Sequence, residues 1–307
     1  MKVLDLFCGM GGFSYGLSKA GYEITGVDIN KWVEKIFEKN CIGKAIIKDL
    51  KNDFIFDENP DIIVGGSPCK PWSTLNLKKR GSSHEDFVLM EKYFLHVLEI
   101  KPAVFVFENV VPVGKDKTLR KFIRKLRAHG YSIYETKIKY SDFGAAIARE
   151  RYFAFGFYKD KSARKQFEKL LIGSKNSPKT VKHVIEKYRN KEEKEVPDHE
   201  WPNLKTIDKY LDKYETGKFG WYILDWNKPS PSFGNIMKTY ILHPGFNNGG
   251  PKRTISIREA EAIFGFKDDF AFPEGMGKGM RYQMIADAVS PDFSYLIGGL
   301  LKTILLR

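Results

Sequence analysis

The apolar positions in the first half of the chain fall into short runs separated by segments of helical periodicity. Lys2 to Phe7 is an apolar run broken only by Asp5, and Cys8-Gly9-Met10-Gly11-Gly12-Phe13-Ser14 carries it into a helical pattern through Leu17 and Ala20. A second run, Glu23 to Val27, ends at Asp28, and a third, Ala45 to Ile47, precedes Asp49. Asp61-Ile62-Ile63-Val64 and Ala103 to Glu108 lack the polar alternation of a half-exposed strand, so they read as strands covered on both faces. Asp86 to Ile100 and Lys117 to His129 space their apolar residues as amphipathic helices, and Tyr152 to Phe157 is again strand-like. Strands and helices that alternate up to about Tyr158 predict an α/β fold with a Rossmann-like sheet domain. From Lys159 to about Gly250 the alternation fades, with Arg189 to Glu200 reading as an exposed loop; after Pro291 an apolar helix, Tyr295 to Leu306, is long enough to cover a sheet face. The pattern therefore predicts a sheet domain over residues 1–158, rejoined by 251–307, and a smaller domain over 159–250.

Three places in this pattern carry chemistry. Gly65-Gly66-Ser67-Pro68-Cys69-Lys70-Pro71-Trp72-Ser73 follows a buried strand, where open α/β sheets keep their reactive groups, and apolar packing does not call for a cysteine between prolines. Cys8 and Cys41 sit in ordinary surroundings and read as small hydrophobes. The second place is the glycine turn at Gly9, Gly11 and Gly12 between two strands, the later of which ends in an acid. Such a turn lets a ligand approach the backbone, and the carboxylate of Asp28 can accept from ribose hydroxyls. The third is Glu108, at the end of the Val104-Phe105-Val106-Phe107 run, where burial would raise the pKa of a carboxyl group. Arg149 and Arg151 lie two apart before an apolar strand and are expected on one face.

Taken together and in this order, these segments resemble the DNA (cytosine-5) methyltransferases over nearly the whole chain. Asp5 to Ser14 is similar to the family's S-adenosylmethionine motif, Pro68-Cys69 to its nucleophile motif, Glu108-Asn109-Val110 to its glutamate motif and Arg149-Glu150-Arg151 to its paired-arginine motif. Arg253 to Phe270 resembles the motif that follows the target-recognition segment. The resemblance implies an S-adenosylmethionine-dependent enzyme that methylates carbon 5 of a flipped-out cytosine in double-stranded DNA, with 159–250 as the target-recognition domain. Cys69 would add to carbon 6, Glu108 would act at ring nitrogen 3 and the 4-amino group, and Arg149 and Arg151 would hold oxygen 2 and a phosphate. For the cofactor it implies Phe7, Gly9, Gly11 and Gly12 at the methionine end, Asp28 on the ribose, Ile29 against adenine and Asp49 on the adenine amino group. Leu50, Pro68 and Leu89 would line the pocket, and Asp287, Ala288 and Val289 would supply the C-terminal part of it. The chain departs from the family pattern at Ile147, Met284, Ala286 and Asp287, where Gln, Gln, Gly and Asn are usual. Lys70, Ser73, Lys78, Lys79, Arg80 and Arg253 are expected on DNA, the first five in a lid over the flipped base.

Composition narrows the partner without deciding it. The formal charge of +13, from 51 basic and 38 acidic residues, favours a polyanion, and Lys159 to Lys218 alone carries 16 basic against 11 acidic residues. Three cysteines with no CxxC pair argue against a zinc site or a disulfide framework, so no metal is expected. An acid at Asp5 interrupts the first apolar run too early for a signal peptide, and no stretch reaches about 18 uninterrupted apolar residues. The expectation is a soluble, monomeric, cytoplasmic protein associated with a prokaryotic nucleoid. A tRNA cytosine-5 methyltransferase on the same fold, and a DNA-binding protein with a silent site, are the alternatives; methyl transfer to duplex DNA or to tRNA separates them.

Overall fold

The computed structural model describes residues 1–52, 55–56, 59–69, 72, 84–203, 207–216, 220–247 and 249–306. The expected lid residues Lys70, Ser73, Lys78, Lys79 and Arg80 lie outside these. By their contacts the described residues form two compact units, one of Met1–Lys139, Glu150–Lys175 and Ser294–Arg307, the other of Tyr140–Arg149 and Asn176–Phe293. These edges differ from 158 and 250: the return to the sheet unit begins at Ser294, and Lys159 to Lys175 stays with the sheet.

The first unit is built on a seven-stranded sheet. In chain order its elements are β1 (Lys2–Leu6), α1 (Gly12–Lys19), β2 (Glu23–Asp28), α2 (Val33–Lys39), β3 (Lys44–Ile47), β4 (Ile62–Gly65), α3 (Phe87–Ile100), β5 (Val104–Asn109), α4 (Lys117–Ala128) and β6 (Tyr131–Lys139). The two-residue β7 (Ile147–Ala148) belongs to the second unit; β8 (Glu150–Tyr158) and α5 (Lys161–Gly173) return to the first. The sheet order is β3-β2-β1-β4-β5-β8-β6, and β8 is the one reversed strand, antiparallel to both β5 and β6. Strand order reverses between β1 and β4, and in such sheets the carboxyl ends of these strands open onto the ligand crevice.

Alternation along the strands sends side chains to two helical layers. Leu4, Leu6, Ile63, Phe105 and Phe107 pack into one buried cluster with Met90, Tyr93, Phe94 and Val97 of α3 and Leu119, Ile123 and Leu126 of α4. On the other face Ser14 of α1 meets Asp5, Phe153 stands edge-on to Phe13, and Phe155 and Phe157 pack on Phe167 of α5. A final helix, α11 after the intervening elements, spans Pro291–Leu305; its Ser294 hydroxyl donates to the Gly12 carbonyl and its Gly298 carbonyl accepts from Tyr22. β6 and α5 were not foreseen. β6 mixes polar and apolar residues because it is an edge strand, and Asp160 caps α5 by accepting from the Ala163 N–H.

The second unit holds α6 (Val181–Ile185), α7 (Leu211–Glu215), β9 (Ser230–Pro231), α8 (Ile236–Thr239), α9 (Ile257–Phe264) and α10 (Lys278–Asp287). β7 and β9 pair in parallel. Ser256 and Glu259 form a reciprocal cap on α9, and the Glu259 carboxylate also takes both guanidinium nitrogens of Arg253, at 2.7 and 2.8 Å. Among the described residues, no helix is long and apolar enough to cross a membrane.

Candidate active site

At the end of β1 the chain turns through Phe7, Gly9 and Gly11, at φ of 64°, 54° and 89°. The left-handed conformation favours glycine at the latter two, and a Cβ on Gly9 would meet no atom within 4 Å, so the backbone there is open to a ligand. The Gly9 N–H donates to one Asp28 carboxylate oxygen at 2.9 Å and the Asn30 N–H to the other, also at 2.9 Å. Burial raises the Asp28 carboxyl from its ordinary value, while the N–H groups of Asn30, Gly9 and Ile29 oppose that rise. Each oxygen keeps a further lone pair, which is what a diol needs. Next to it Ile29 is an apolar side chain 65% exposed, at the position expected to meet adenine. An open glycine turn, an acid held by backbone donors and an exposed apolar residue fit the nucleoside and methionine ends of S-adenosylmethionine. Leu50 and Leu89 belong to the buried cluster beneath, Pro68 is half-buried, and Asp49 accepts from the Lys51 N–H in a turn of its own.

One strand over, β4 and β5 end side by side, with Gly65 paired to Phe107. Cys69 is half-buried in the loop after β4, whereas Cys8 is buried, its thiol raised by desolvation and by the Asp5 and Asp28 carboxylates, and Cys41 is exposed. The Trp72 N–H donates to the Cys69 carbonyl at 3.0 Å and its indole N–H to Asp116 at 2.9 Å. Glu108 is 8% exposed. One carboxylate oxygen lies 3.1 Å from Arg151 Nε; the other stands 2.6 Å from where a Cβ on Gly66 would be. The glutamate thus rests on the backbone of the loop that carries Cys69. Asn109 secures the same loop, donating from its side-chain amide to the Ser67 carbonyl at 2.9 Å.

Sequence spacing alone did not find these supports. The Glu108–Arg151 pair exists because reversed β8 lies against β5, with Glu108 opposite Phe153, a pairing that no local periodicity reveals. The strand alternation expected to relate Arg149 and Arg151 does not run through both, because Arg149 lies outside β8. The chain leaves β7 for β8 between them, so Arg149 is buried in the second unit with its guanidinium over the Phe264 ring at 5.4 Å. Arg253, expected on DNA, is 7% exposed and stacked on Trp201 at 4.2 Å, its charge matched by Glu259. Asp287 ends α10 in the second unit, and Ala288 and Val289 follow it; Ala288 and Val289 are buried, and Asp287 is exposed and accepts from Gln283. Of the other departures from the family pattern, Ile147, Met284 and Ala286 are all buried.

A family model for C-5 cytosine-specific DNA methylases matches residues 1–303. The chain belongs to this family. It is 28% identical to the type II methyltransferase M.FnuDI of Fusobacterium nucleatum, across 98% of this chain and 94% of that one. It is 29% identical to the type II methyltransferase M.MthTI of Methanothermobacter thermautotrophicus, across 94% and 93%. The fold is that of a prophage-encoded DNA modification methyltransferase structure from E. coli, with TM-score 0.72 and 23% identity over 100% of both chains. It is equally that of the S. pombe Dnmt2 methyltransferase, with TM-score 0.72 and 17% identity over 99% of both. As a C-5 cytosine methylase, the protein has a chemical reason for a cysteine and a carboxylate at neighbouring strand ends: carbon 5 becomes nucleophilic only after carbon 6 has been attacked.

Proposed function

We propose that this methylase modifies a cytosine within a specific sequence of double-stranded DNA through a covalent intermediate on Cys69, as a modification enzyme of the kind its type II relatives are named for. The observation that carries the reading is the seat of Glu108 on the Gly66 backbone, within the strand-end group that also presents Cys69. The Cys69 thiolate adds to carbon 6 of a cytosine extruded from the duplex, at a stacking cost of about a few kcal/mol. Addition moves electron density toward ring nitrogen 3, where Glu108 hydrogen-bonds and shares a proton. Arg151 fixes the carboxylate's orientation, so its first role is positioning. Asp28 would hold the ribose of S-adenosylmethionine and Gly9, Gly11 and Gly12 its methionine end; once bound, the cofactor would supply an electrophilic methyl group to carbon 5 and leave as S-adenosylhomocysteine. Loss of the carbon-5 proton and expulsion of the thiolate then restore the ring. Residues 176–250, the part of the expected recognition segment that lies in the second unit, read the DNA sequence, and the protein works in the cytoplasm on chromosomal DNA.

Glu108→Gln tests the assignment of the acid, because the amide keeps the shape but cannot share a proton. Single-turnover methylation should slow by about 10²-fold or more, the scale of a lost general acid, with both ligands still bound. An unchanged rate would make Glu108 structural and leave the mechanism without its acid.

A further inference from the structure

We propose that the outer face of α4 is a second DNA-binding surface, which holds the phosphate backbone of the duplex beyond the methylated base pair. The inference rests on the reading of DNA as substrate and adds a contact outside the site and the recognition segment. Helix α4, KTLRKFIRKLRA, carries six basic residues and no acidic one. Two are matched within the unit, since Arg120 and Arg127 both pair with Glu135 of β6. The remaining four, Lys117, Lys121, Arg124 and Lys125, are without an ion pair among the described residues; all four are exposed.

Helical geometry gathers these four into a stripe about 100° wide, opposite buried Leu119, Ile123 and Leu126. Lys117 and Lys121, and Lys121 and Lys125, are like-charge neighbours one turn apart, each pair costing about 0.2–0.5 kcal/mol to the free helix. A face needed only for solubility would mix the signs. An anionic occupant turns that repulsion into attraction.

The position of the helix says which anion. Asp116 caps α4 with one carboxylate oxygen, accepting from the Thr118 N–H at 2.8 Å, and with the other accepts from the Trp72 indole at 2.9 Å. Trp72 in turn holds the Cys69 carbonyl. The first turn of the basic stripe is therefore hydrogen-bonded to the loop that presents the nucleophile, and a duplex delivering its cytosine to Cys69 passes within reach of Lys117. Twelve residues at about 1.5 Å each give roughly 18 Å of helix, the length of about five base-pair steps. A lipid surface fits less well, because a membrane-lying helix puts apolar side chains into the interface, whereas here Phe122 packs against the core.

The test compares wild type with a variant carrying Lys117→Gln, Lys121→Gln, Arg124→Gln and Lys125→Gln, and with a control in which each Lys is exchanged for Arg and Arg124 for Lys. Affinity for a short duplex covering only the methylated site and for a long one is measured across salt concentrations. On the long duplex the slope of log K against log salt should fall by up to about 3.6 for four lost phosphate contacts, and the affinity deficit should grow with duplex length. The charge-preserving control should keep the wild-type slope, which separates lost charge from a disturbed helix. Equal slopes for wild type and the Gln variant on the long duplex overturn the proposal while leaving the active-site reading intact. Wild type that binds and methylates no duplex overturns both. Binding of phosphatidylserine vesicles through these four residues, with duplex affinity unaltered by the variant, assigns the face to lipid and also overturns it.

Discussion

Gly66→Ala is the sharpest perturbation that the site geometry offers, because it touches the carboxylate proposed as the acid, Glu108, without changing any ionisable group. The φ of Gly66 lies outside the left-handed region, so alanine suits the backbone. Its methyl carbon, however, would stand 2.6 Å from the Glu108 carboxylate oxygen and 3.2 Å from the Glu108 carbonyl oxygen, where ordinary contact begins at 3.4 Å. The backbone of β5 is held by pairing to β4 and β8, so the side chain yields more readily than the strand. The carboxylate must retreat by about 0.8 Å, straining the 3.1 Å contact with Arg151 and moving the group proposed to meet ring nitrogen 3. A displacement near 1 Å in a positioned catalytic group costs about 10²-fold, or roughly 2.7 kcal/mol of barrier. Rapid-quench single-turnover methylation, with enzyme and labelled S-adenosylmethionine in excess over duplex, measures that step directly. Cofactor affinity should hardly move, since Gly66 is not part of the turn at Gly9. A single-turnover rate within about threefold of wild type would refute the reasoning, showing that Glu108 tolerates displacement and is not a geometrically demanding acid.

Two further outcomes follow from the same coordinates. Asp28→Asn should raise the S-adenosylmethionine dissociation constant by about tenfold to 100-fold in titration calorimetry, because a hydrogen bond to a charged acceptor is worth about 1.5–3 kcal/mol; unchanged affinity would remove Asp28 from the ribose. Burial pushes the Asp5 carboxyl from 3.8 up to about 7, despite the 2.6 Å hydrogen bond from Ser14. The folded protein therefore keeps a proton that the unfolded chain has released, and stability falls as pH rises from 3.8 to about 7, then levels off. Asp5→Asn keeps an acceptor for Ser14 and should remove a few kcal/mol, to order of magnitude, of the decline in urea-unfolding stability between pH 5 and pH 8. Parallel declines in wild type and variant would contradict this.

The sheet was legible where strands are buried on both faces. Lys2–Leu6, Ile62–Gly65 and Val104–Asn109 stand within a residue or two of their apolar runs, because in such strands burial alone dictates the residue types. Cys69 and Glu108 were legible because each follows such a run and is chemically out of place there. What could not be read was long-range pairing. The reversal of β8 decides that Arg151 reaches Glu108, and the bond between Trp72 and Asp116 joins positions 44 apart in the chain. Edge strand β6 escaped notice because its polar residues, among them Glu135, serve neighbours on α4 rather than an alternating pattern. Arg253 was expected on DNA because a basic residue in a basic chain carries no mark of its buried partner, Glu259. Asp5 read as an interruption of a strand, whereas its burial against Ser14 turns it into a group sensitive to neutral pH.

The central claim is that Cys69 forms the covalent bond to cytosine. Duplex DNA with 5-fluorocytosine at the methylated position tests it most directly, since fluorine at carbon 5 blocks the final proton loss and leaves the adduct in place. Incubation with S-adenosylmethionine, digestion and mass spectrometry should locate the modified nucleotide on the peptide containing Cys69, and Cys69→Ala should yield no adduct while still binding duplex and cofactor. An adduct on Cys8 or Cys41, or appreciable turnover of ordinary duplex by Cys69→Ala, would contradict the account.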